Sequence, residues 1–325
     1  MTTQIGRLIN VGIAKETARG TAEATATFWI PKVDFDFNPR ADYVVNESGL
    51  GVIDGRSDAK VVEKVGEGSF GGIIYDKNFG LLLAACLGTW SSSTAVDAAY
   101  THSFTRLNTN THPALTIFHK DSNIDEKFAL GVLNQLTLNC VLKDFVKYNV
   151  GFLSKVGATT SSTPVYTSET INPFLATHVT VKFAATTAAL ATASATAVRA
   201  FNLTINKNVE DWQNLGSVDP VDIVNKALLV TGDMELLFGN TTQRDYVLNG
   251  DKKACLLTIN NTDVLIGTAS RPKLEITFAP MSFRDWGRGT GQNDVVTETV
   301  AFDGNFGLSD SKTLSIQLIN AQSSY

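Results

Sequence analysis

The residues whose spacing most suggests chemistry are three glycines in the segment VEKVGEGSFGGII, residues 62–74. Gly66, Gly68 and Gly71 have the G-x-G-x-x-G spacing of a dinucleotide-binding turn, in which glycines let the backbone approach a pyrophosphate. Such a turn must lead directly into a helix whose N-terminus faces the phosphate. Here the glycines precede GIIYDKN, whose β-branched and aromatic residues favour another strand. We therefore predict that these glycines serve the sheet and bind no nucleotide.

A second candidate is the group of carboxylates in DFDFNPRAD, residues 34–42. Neighbouring carboxylates act as general acid and base in some enzymes and bind Ca²⁺ in other proteins. In a strand, however, Asp34 and Asp36 share one face while Phe35 and Phe37 share the other. The pattern therefore favours a solvated strand face over an aromatic core face.

The other residue types that catalyse reactions or bind metals form no recognisable pattern. The histidines lack the spacing of a short zinc motif, and we expect them at the surface or at strand edges; they are His102, His112, His119 and His178. The chain also lacks a G-x-S-x-G elbow, a P-loop and an H-E-x-x-H helix. We therefore predict no catalytic residue, no metal and no cofactor, and hence no enzyme.

Length and charge narrow the possible classes of protein. A chain of 325 residues is long enough for two domains of ordinary size. Its net charge of −5 argues against a general basic footprint for gripping DNA or RNA. The three cysteines are far apart and form no CxxC pair, which favours a reducing compartment. We expect no signal peptide and no membrane contact, because no apolar segment reaches the roughly 18 residues of a membrane span.

The elements that would position any site are predominantly strands. Apolar residues alternate with polar ones in four segments, which predicts half-buried, mostly antiparallel strands; these are residues 135–142, 201–205, 228–238 and 314–318. Only two segments read as helices, 76–88 and 240–250. Each opens on Asp or Asn, as an N-cap, and closes on Gly, as a C-cap.

The two halves of the chain show the same order of predicted elements. In each half a strand, a polar loop, a second strand, a glycine, a third strand and a short helix follow one another. Gly68 precedes Asp76 by eight residues, as Gly232 precedes Asn240. The alternative is two unrelated β domains that share common turn chemistry. We favour duplication, with Gly68 and Gly232 as structural glycines where strands bend or approach closely.

This repeat predicts a domain organisation. Residues 1–155 form a first domain and residues 198–325 a second. Residues 156–197 are rich in Ala, Thr and Ser, and we interpret them as a connector with one strand at 177–184.

The N-terminal third resembles the tail tube proteins, or major tail proteins, of long-tailed bacteriophages. The resemblance depends on three ordered segments: VGIAKETARGTAEATATFWIPKVDFDF (11–37), NESGLG (46–51) and KVGEGSFGGIIYDKNFGLLLAACLG (64–88). In the second half it depends mainly on NLTINKNVED (202–211) and VTGDMELLF (230–238).

This resemblance implies two tandem tail-tube-type β-sandwich or β-barrel domains, each with one short flanking helix. In that family inner sheets join edge to edge around a ring, rings stack into a tube, and DNA crosses the lumen during ejection. It also implies a tape measure protein and a tail terminator as partners, a location in the virion tail, and assembly in the cytoplasm of the host bacterium. A lumen that lets DNA slide without specific binding should be acidic or neutral, which suits the net charge.

If each chain supplies two tube domains, a ring of three chains has pseudo-sixfold symmetry. The alternative is a true hexamer with one tube domain per chain and the second domain as outer decoration. The polar loops at 39–59 and 207–222 are the predicted ring-stacking contacts, although apolar residues at loop tips also pack within their own loop. The residues concerned are Tyr43, Glu47, Leu50, Trp212 and Leu215.

Two other classes of function remain open at this point. One is the tube subunit of a contractile tail or a secretion machine, which has the same fold. The other is a β-sandwich adhesin or carbohydrate-binding module, which would remain monomeric at high concentration.

Overall fold

The computed structural model describes residues 5–165 and 171–325, and it confirms the predicted mainly β fold. Residues 1–4 of the predicted first domain and 166–170 of the predicted connector lie outside the described residues. The elements of the first half are β1 (Asn10–Lys15), β2 (Phe28–Ile30), β3 (Asp34–Asn46), β4 (Asp58–Ile73), α1 (Phe79–Leu87), β5 (Gly88–Ser92), β6 (Tyr100–Arg106), β7 (Leu115–Lys120), β8 (Asp125–Val141), β9 (Lys147–Ser154) and β10 (Ala158–Thr159).

The second half continues with β11 (Val179–Ala184), β12 (Ala195–Thr196), β13 (Val198–Asn206), β14 (Glu210–Trp212), β15 (Asp222–Val224), β16 (Leu229–Leu237), α2 (Thr242–Asn249), β17 (Lys252–Asn260), β18 (Lys273–Gly289), β19 (Thr297–Gly304) and β20 (Leu314–Asn320). Short 3₁₀ turns lie at Gly6–Leu8, Ala176–His178 and Thr187–Ala191.

The strands that were predicted from the alternation of apolar and polar residues are present. In β13, for example, Phe201, Leu203 and Ile205 are buried while the residues between them are half-buried. Two strands are shorter than predicted, one at its end and one at its start. Leu142 is exposed just after β8, and Leu228 precedes the first residue of β16.

Both predicted helices are present, and each ends at the predicted glycine. Gly88 and Gly250 have φ of 91° and 67°, the left-handed conformation that a glycine C-cap adopts most readily. The predicted first residues were wrong by two to three positions, because the helices begin at Phe79 and Thr242. Asp76 does not cap α1; its buried carboxylate accepts hydrogen bonds from the backbone and side-chain amides of Asn172, at 2.9 and 2.8 Å.

A continuous antiparallel sheet runs through both halves of the chain. Its strand order is β3–β4–β9–β8–β13–β16–β19–β18. The two halves meet where residues 135–141 of β8 pair with residues 200–206 of β13. We call this pairing the intrachain junction. One hydrophobic core cluster contains residues of both halves, so the halves pack as well as pair.

The strand pairings of the first half recur in the second half. β1 pairs with β2 and β7, as β11 pairs with β12 and β17. The order β3–β4–β9–β8 recurs as β13–β16–β19–β18, and β10 pairs with β8 as β20 pairs with β18. Among the described elements, β5 and β6 have no counterpart in the second half. The pattern is compatible with two tandem domains.

The position of the domain boundaries stays a prediction. The single strand expected at 177–184 is β11. It pairs with β17 at the place where β1 pairs with β7, so part of the predicted 156–197 connector has strands equivalent to β1 and β2.

Candidate functional site

The three glycines of the G-x-G-x-x-G segment lie inside β4, with a paired strand on each side. Gly68 is opposite Phe37 of β3 and Phe152 of β9. A Cβ at Gly68 would overlap the carbonyl oxygen of Asp36, and a Cβ at Gly71 would lie 2.5 Å from the carbonyl oxygen of Tyr148. The glycines therefore bring strands close together, and they do not form a strand-to-helix turn.

Gly232 has the same surroundings in the second half. It lies in β16 opposite Leu203 of β13 and Phe302 of β19. A Cβ there would overlap the carbonyl oxygen of Asn202 and would lie 2.9 Å from Cε2 of Phe302. The two glycines therefore occupy matching places in the two halves of the sheet.

The carboxylates of residues 34–42 line the solvated face of β3, as predicted. Asp34 accepts a hydrogen bond from the side chain of Asn149 at 3.0 Å, and Asp36 accepts one from Asn38 at 2.7 Å. Phe37 is fully buried on the other face. Within the described residues, no three His, Cys, Asp or Glu side chains are grouped as in a metal site.

The prediction that the histidines lie at the surface or at strand edges was wrong for three of the four: His102, His112 and His178 are buried, whereas His119 is half-buried near the end of β7. The His102 ring is held at Nδ1 by the hydroxyl of Ser92, at 2.7 Å, and at Nε2 by the carbonyl of Gln322, at 2.8 Å. Burial lowers the pKa of His112 to about 4. His178 is also hydrogen-bonded at both ring nitrogens, whereas His112 is bonded through Nε2 to the carbonyl of Leu107 and its Nδ1 has no partner among the described residues. The flanking residues did not reveal that these rings are buried.

Two residues of the segment 11–37, Glu16 and Arg19, connect parts of the chain that are distant in sequence. The buried carboxylate of Glu16 accepts hydrogen bonds from the backbone amides of Gly20 and Leu130, at 2.7 and 2.6 Å. Arg19 forms an ion pair with Asp222 at 2.8 Å and donates to the carbonyl of Ile223. Arg19 therefore connects the N-terminal part of the chain to β15. In the sequence, these residues indicated only the resemblance to the family.

The five predicted stacking residues are all exposed, but the segments that carry them differ from the prediction. Residues 39–59 are not one loop: β3 and β4 form a long hairpin whose connecting loop is 47–57. Residues 207–222 include β14, which pairs with β15 as a separate two-stranded ribbon. Exposure is 62% for Tyr43, 68% for Leu50, 61% for Trp212 and 106% for Leu215, and Glu47 is exposed with its carboxylate 3.9 Å from Arg56.

The hairpin and the ribbon touch each other at the base of the hairpin. The amide of Lys64 donates to the carbonyl of Val218 at 2.8 Å. A hydrogen bond with Asp211, together with burial and the nearby Asp42, raises the pKa of Glu63 to about 7. The two predicted stacking segments are therefore neighbours in space, which their separation of about 170 residues in sequence did not reveal.

The eight-stranded sheet ends at two strand edges that have no partner in the described part of the chain. β3 pairs only with β4, and residues 285–289 of β18 pair only with β19. Free backbone donors and acceptors at such an edge are a template for pairing with another chain. β3 and β18 are the outer strands of one sheet, so each copy of the chain has one free edge at either end of that sheet.

The solvent face of this sheet carries more carboxylates than cations. Alternation along paired strands places on it nine acidic residues: Asp34, Asp36, Asp42, Glu63, Glu67, Asp233, Glu235, Asp285 and Asp303. The basic residues beside them are Arg40, Lys147, Arg199 and Arg284. The face is therefore net negative.

A sheet that ends in two strand edges without a partner among the described residues can pair with another chain at both ends. The family model of the phage tail tube protein matches residues 6–304 of the chain. Because this match covers most of the sequence, the protein belongs to the phage tail tube protein family, whose members are structural proteins of the virion tail that self-associate into a tube. The comparison with curated proteins gave no match. None of the described helices is long and apolar enough to cross a membrane.

Proposed function

We propose that three copies of this chain form a pseudo-sixfold ring, that rings stack into the tail tube, and that DNA passes through the lumen during ejection. The observation that carries the proposal is the recurring order of strand pairings, joined by the intrachain junction. One chain thus supplies two similar units side by side, and three chains supply six. In the competing hexamer only one half would line the tube, although both halves share the same sheet.

The lumen is formed by the solvent face of the eight-stranded sheet. Its opposite face packs on the core, which leaves this face open. An excess of carboxylates repels the phosphates of DNA, so the duplex slides without being held.

Ring stacking uses the β3–β4 hairpin and the β14–β15 ribbon. Tyr43, Leu50, Trp212 and Leu215 are exposed in the single chain, where they contribute nothing to its core. Burial against the next ring would remove about 25 cal/mol of unfavourable hydration per Å² of apolar surface.

The remaining parts of the proposal follow from family membership. Rings assemble in the cytoplasm of the host bacterium, with a tape measure protein in the lumen and a tail terminator at the end of the tube. The chain has no enzymatic activity in this role.

Electron microscopy of the purified protein tests the class and the stoichiometry together. We expect rings or tubes with a central channel, and three copies per ring in a reconstructed map. Six copies per ring would refute the trimer, and a monomer at high concentration would refute the tube itself.

Deleting residues 42–55 tests the stacking assignment, and Leu215→Ser is a smaller change with the same purpose. We expect both variants to fold and to form rings that do not stack, because each removes exposed apolar surface from the proposed contact. Leu248→Ser is the matched control, since Leu248 is also an exposed leucine but lies on α2. Tubes of normal length from the deletion variant would overturn the assignment.

A further inference from the structure

We propose that neighbouring copies of this chain join by antiparallel pairing of β3 with the end of β18, in the register that places Arg40 of one copy opposite Asp285 of the next. We call this pairing the interchain junction. The inference rests on the proposed ring and adds to it the strands, the register and the contacting residues. The partner is a second copy of the same chain.

The intrachain junction is the template for this register. Leu203 of β13 lies opposite Leu138 of β8, within seven consecutive pairs from Ala200↔Val141 to Asn206↔Gln135. Both strands have a counterpart elsewhere in the chain. β13 corresponds to β3 and β8 corresponds to β18, and the edges that these counterparts would use are free.

Equivalent positions follow from the pairings around the two structural glycines. Gly68 is opposite Phe37 and Phe152, and Gly232 is opposite Leu203 and Phe302. Phe37 of β3 therefore corresponds to Leu203 of β13, and the β9 position at 152 corresponds to the β19 position at 302.

A β-bulge that occurs in both β8 and β18 gives the equivalent positions of these two strands. The pairing of β8 with β9 shifts between Leu133 and Gln135, and that of β18 with β19 shifts between Phe283 and Asp285. The same one-residue bulge thus occurs at the same place in both units, and Gln135 corresponds to Asp285. Bulges mark defined positions in a strand, so they are strong guides to equivalence.

Transferring the template gives the interchain register directly. Asn206 opposite Gln135 becomes Arg40 opposite Asp285 of the next copy. Two residues further along, Asn38 lies opposite Gly287, and two further still, Asp36 lies opposite Gly289.

The residues brought together are chemically complementary. Arg40 and Asp285 carry opposite charges, where the intrachain junction has the neutral pair Asn206 and Gln135. Asp285 forms no ion pair with any residue that the structure describes, whereas Arg40 already contacts Glu67 of its own chain at 2.5 Å. Opposite charges on directly opposed residues stabilise a strand pair, and like charges there destabilise it.

Pro39 is also compatible with this junction. The carbonyl of Asp36 faces β4, and backbone direction alternates along a strand, so the missing N–H of Pro39 faces the free edge. The amide of Trp286 in the next copy can still donate to the carbonyl of Pro39. An edge proline disfavours indiscriminate strand pairing, which makes the correct register more selective.

Disulfide trapping in the full-length assembled protein tests the register. Asn38→Cys combined with Gly287→Cys places two cysteines at a non-hydrogen-bonded pair, where Cα atoms lie about 4.5 Å apart, within disulfide range. We expect oxidised tubes to give covalent dimers and trimers on non-reducing gels. The native cysteines are buried and do not interfere.

Asp34→Cys combined with Gly287→Cys is the matched control, because it is four residues, or about 13 Å, out of register. Cross-linking in the control pair but not in the first pair would overturn the register. Tubes that form without cross-linking of either pair would overturn the junction while leaving the tube function intact. Failure of the unaltered protein to form tubes would instead refute the proposed function.

Charge reversal provides a test that does not depend on cysteine. Arg40→Asp and Asp285→Arg should each raise the critical assembly concentration by about tenfold, since each places like charges opposite one another. The double variant restores the pair and should assemble within about twofold of the unaltered protein. No recovery in the double variant would refute the pairing of these two residues.

Discussion

Replacing Gly68 by alanine tests whether the sheet depends on a glycine at this position. Gly68 has φ of 153°, which side-chain-bearing residues rarely adopt, and a Cβ there would lie 2.6 Å from Cα of Phe37. Carbon atoms that are not bonded to each other normally stay about 3.5–4.0 Å apart, so β3 and β4 must separate locally. The φ strain costs about 1–3 kcal/mol and the displaced packing a similar amount. We therefore expect Gly68→Ala to lower the free energy of unfolding by about 3 kcal/mol.

Gly151→Ala is the control within the same sheet. Gly151 lies in β9 beside Gly68, and the atom nearest to its Cβ position is 3.9 Å away. We expect this variant to change the stability by less than about 0.5 kcal/mol. Gly232→Ala should resemble Gly68→Ala but with a smaller loss, because it creates the overlap without a positive φ.

Thermal unfolding of the unassembled protein measures the difference. A chain of 325 residues unfolds with an entropy of about 0.7 kcal/mol/K, so 3 kcal/mol corresponds to a Tm lower by about 4 °C. Equal Tm values for Gly68→Ala and Gly151→Ala would show that the strands relax freely, and the structural role of Gly68 would be refuted.

Two further predictions concern pH. The ammonium of Lys207 is buried and donates to the carbonyl of Ala85 at 2.9 Å, and burial lowers its pKa to about 8. The folded chain then binds fewer protons than the unfolded chain between about pH 8 and 10.5, so unfolding free energy should rise with pH across that range, measured by urea denaturation. Lys207→Met should have a flatter profile; an identical slope would contradict this. Glu63 has its pKa raised to about 7, mainly by its hydrogen bond with Asp211, so the contact between hairpin and ribbon should weaken as pH rises from about 4.5 through 7. Hydrogen exchange at the amide of Lys64, which is bonded to Val218, should report this loss, and Glu63→Gln should abolish the pH dependence. Unaltered pH dependence in that variant would assign the effect to another group.

Sequence patterns predicted the elements that have one buried face. The alternation in β13 and the glycine ends of α1 and α2 are local signals, because they depend on side-chain period and on one backbone conformation. The repeat was also visible, since Gly68 and Gly232 punctuate both halves at matching places.

Sequence patterns failed where both faces of a strand are exposed or where partners are distant. The outer part of β3, Arg40–Asn46, has no apolar alternation because solvent surrounds it, so it read as a loop. His102 is hydrogen-bonded to Asn320 and Gln322, more than 200 residues away. Its neighbours in sequence are polar, so they gave no sign that the ring is buried. The free edges were not predictable either, because an edge is defined by the absence of a partner strand, which depends on the whole topology.

The intrachain junction also changes how an assembly must begin. Bringing two separate bodies together costs about 4–15 kcal/mol in lost translation and rotation, and folding makes this junction without such a cost. A six-unit ring built from paired units requires only two encounters between free molecules before it closes, where six separate units would require five. Rings should therefore nucleate at lower protein concentration than those of a single-unit relative with equally strong edges, and their formation rate should depend on a lower power of concentration.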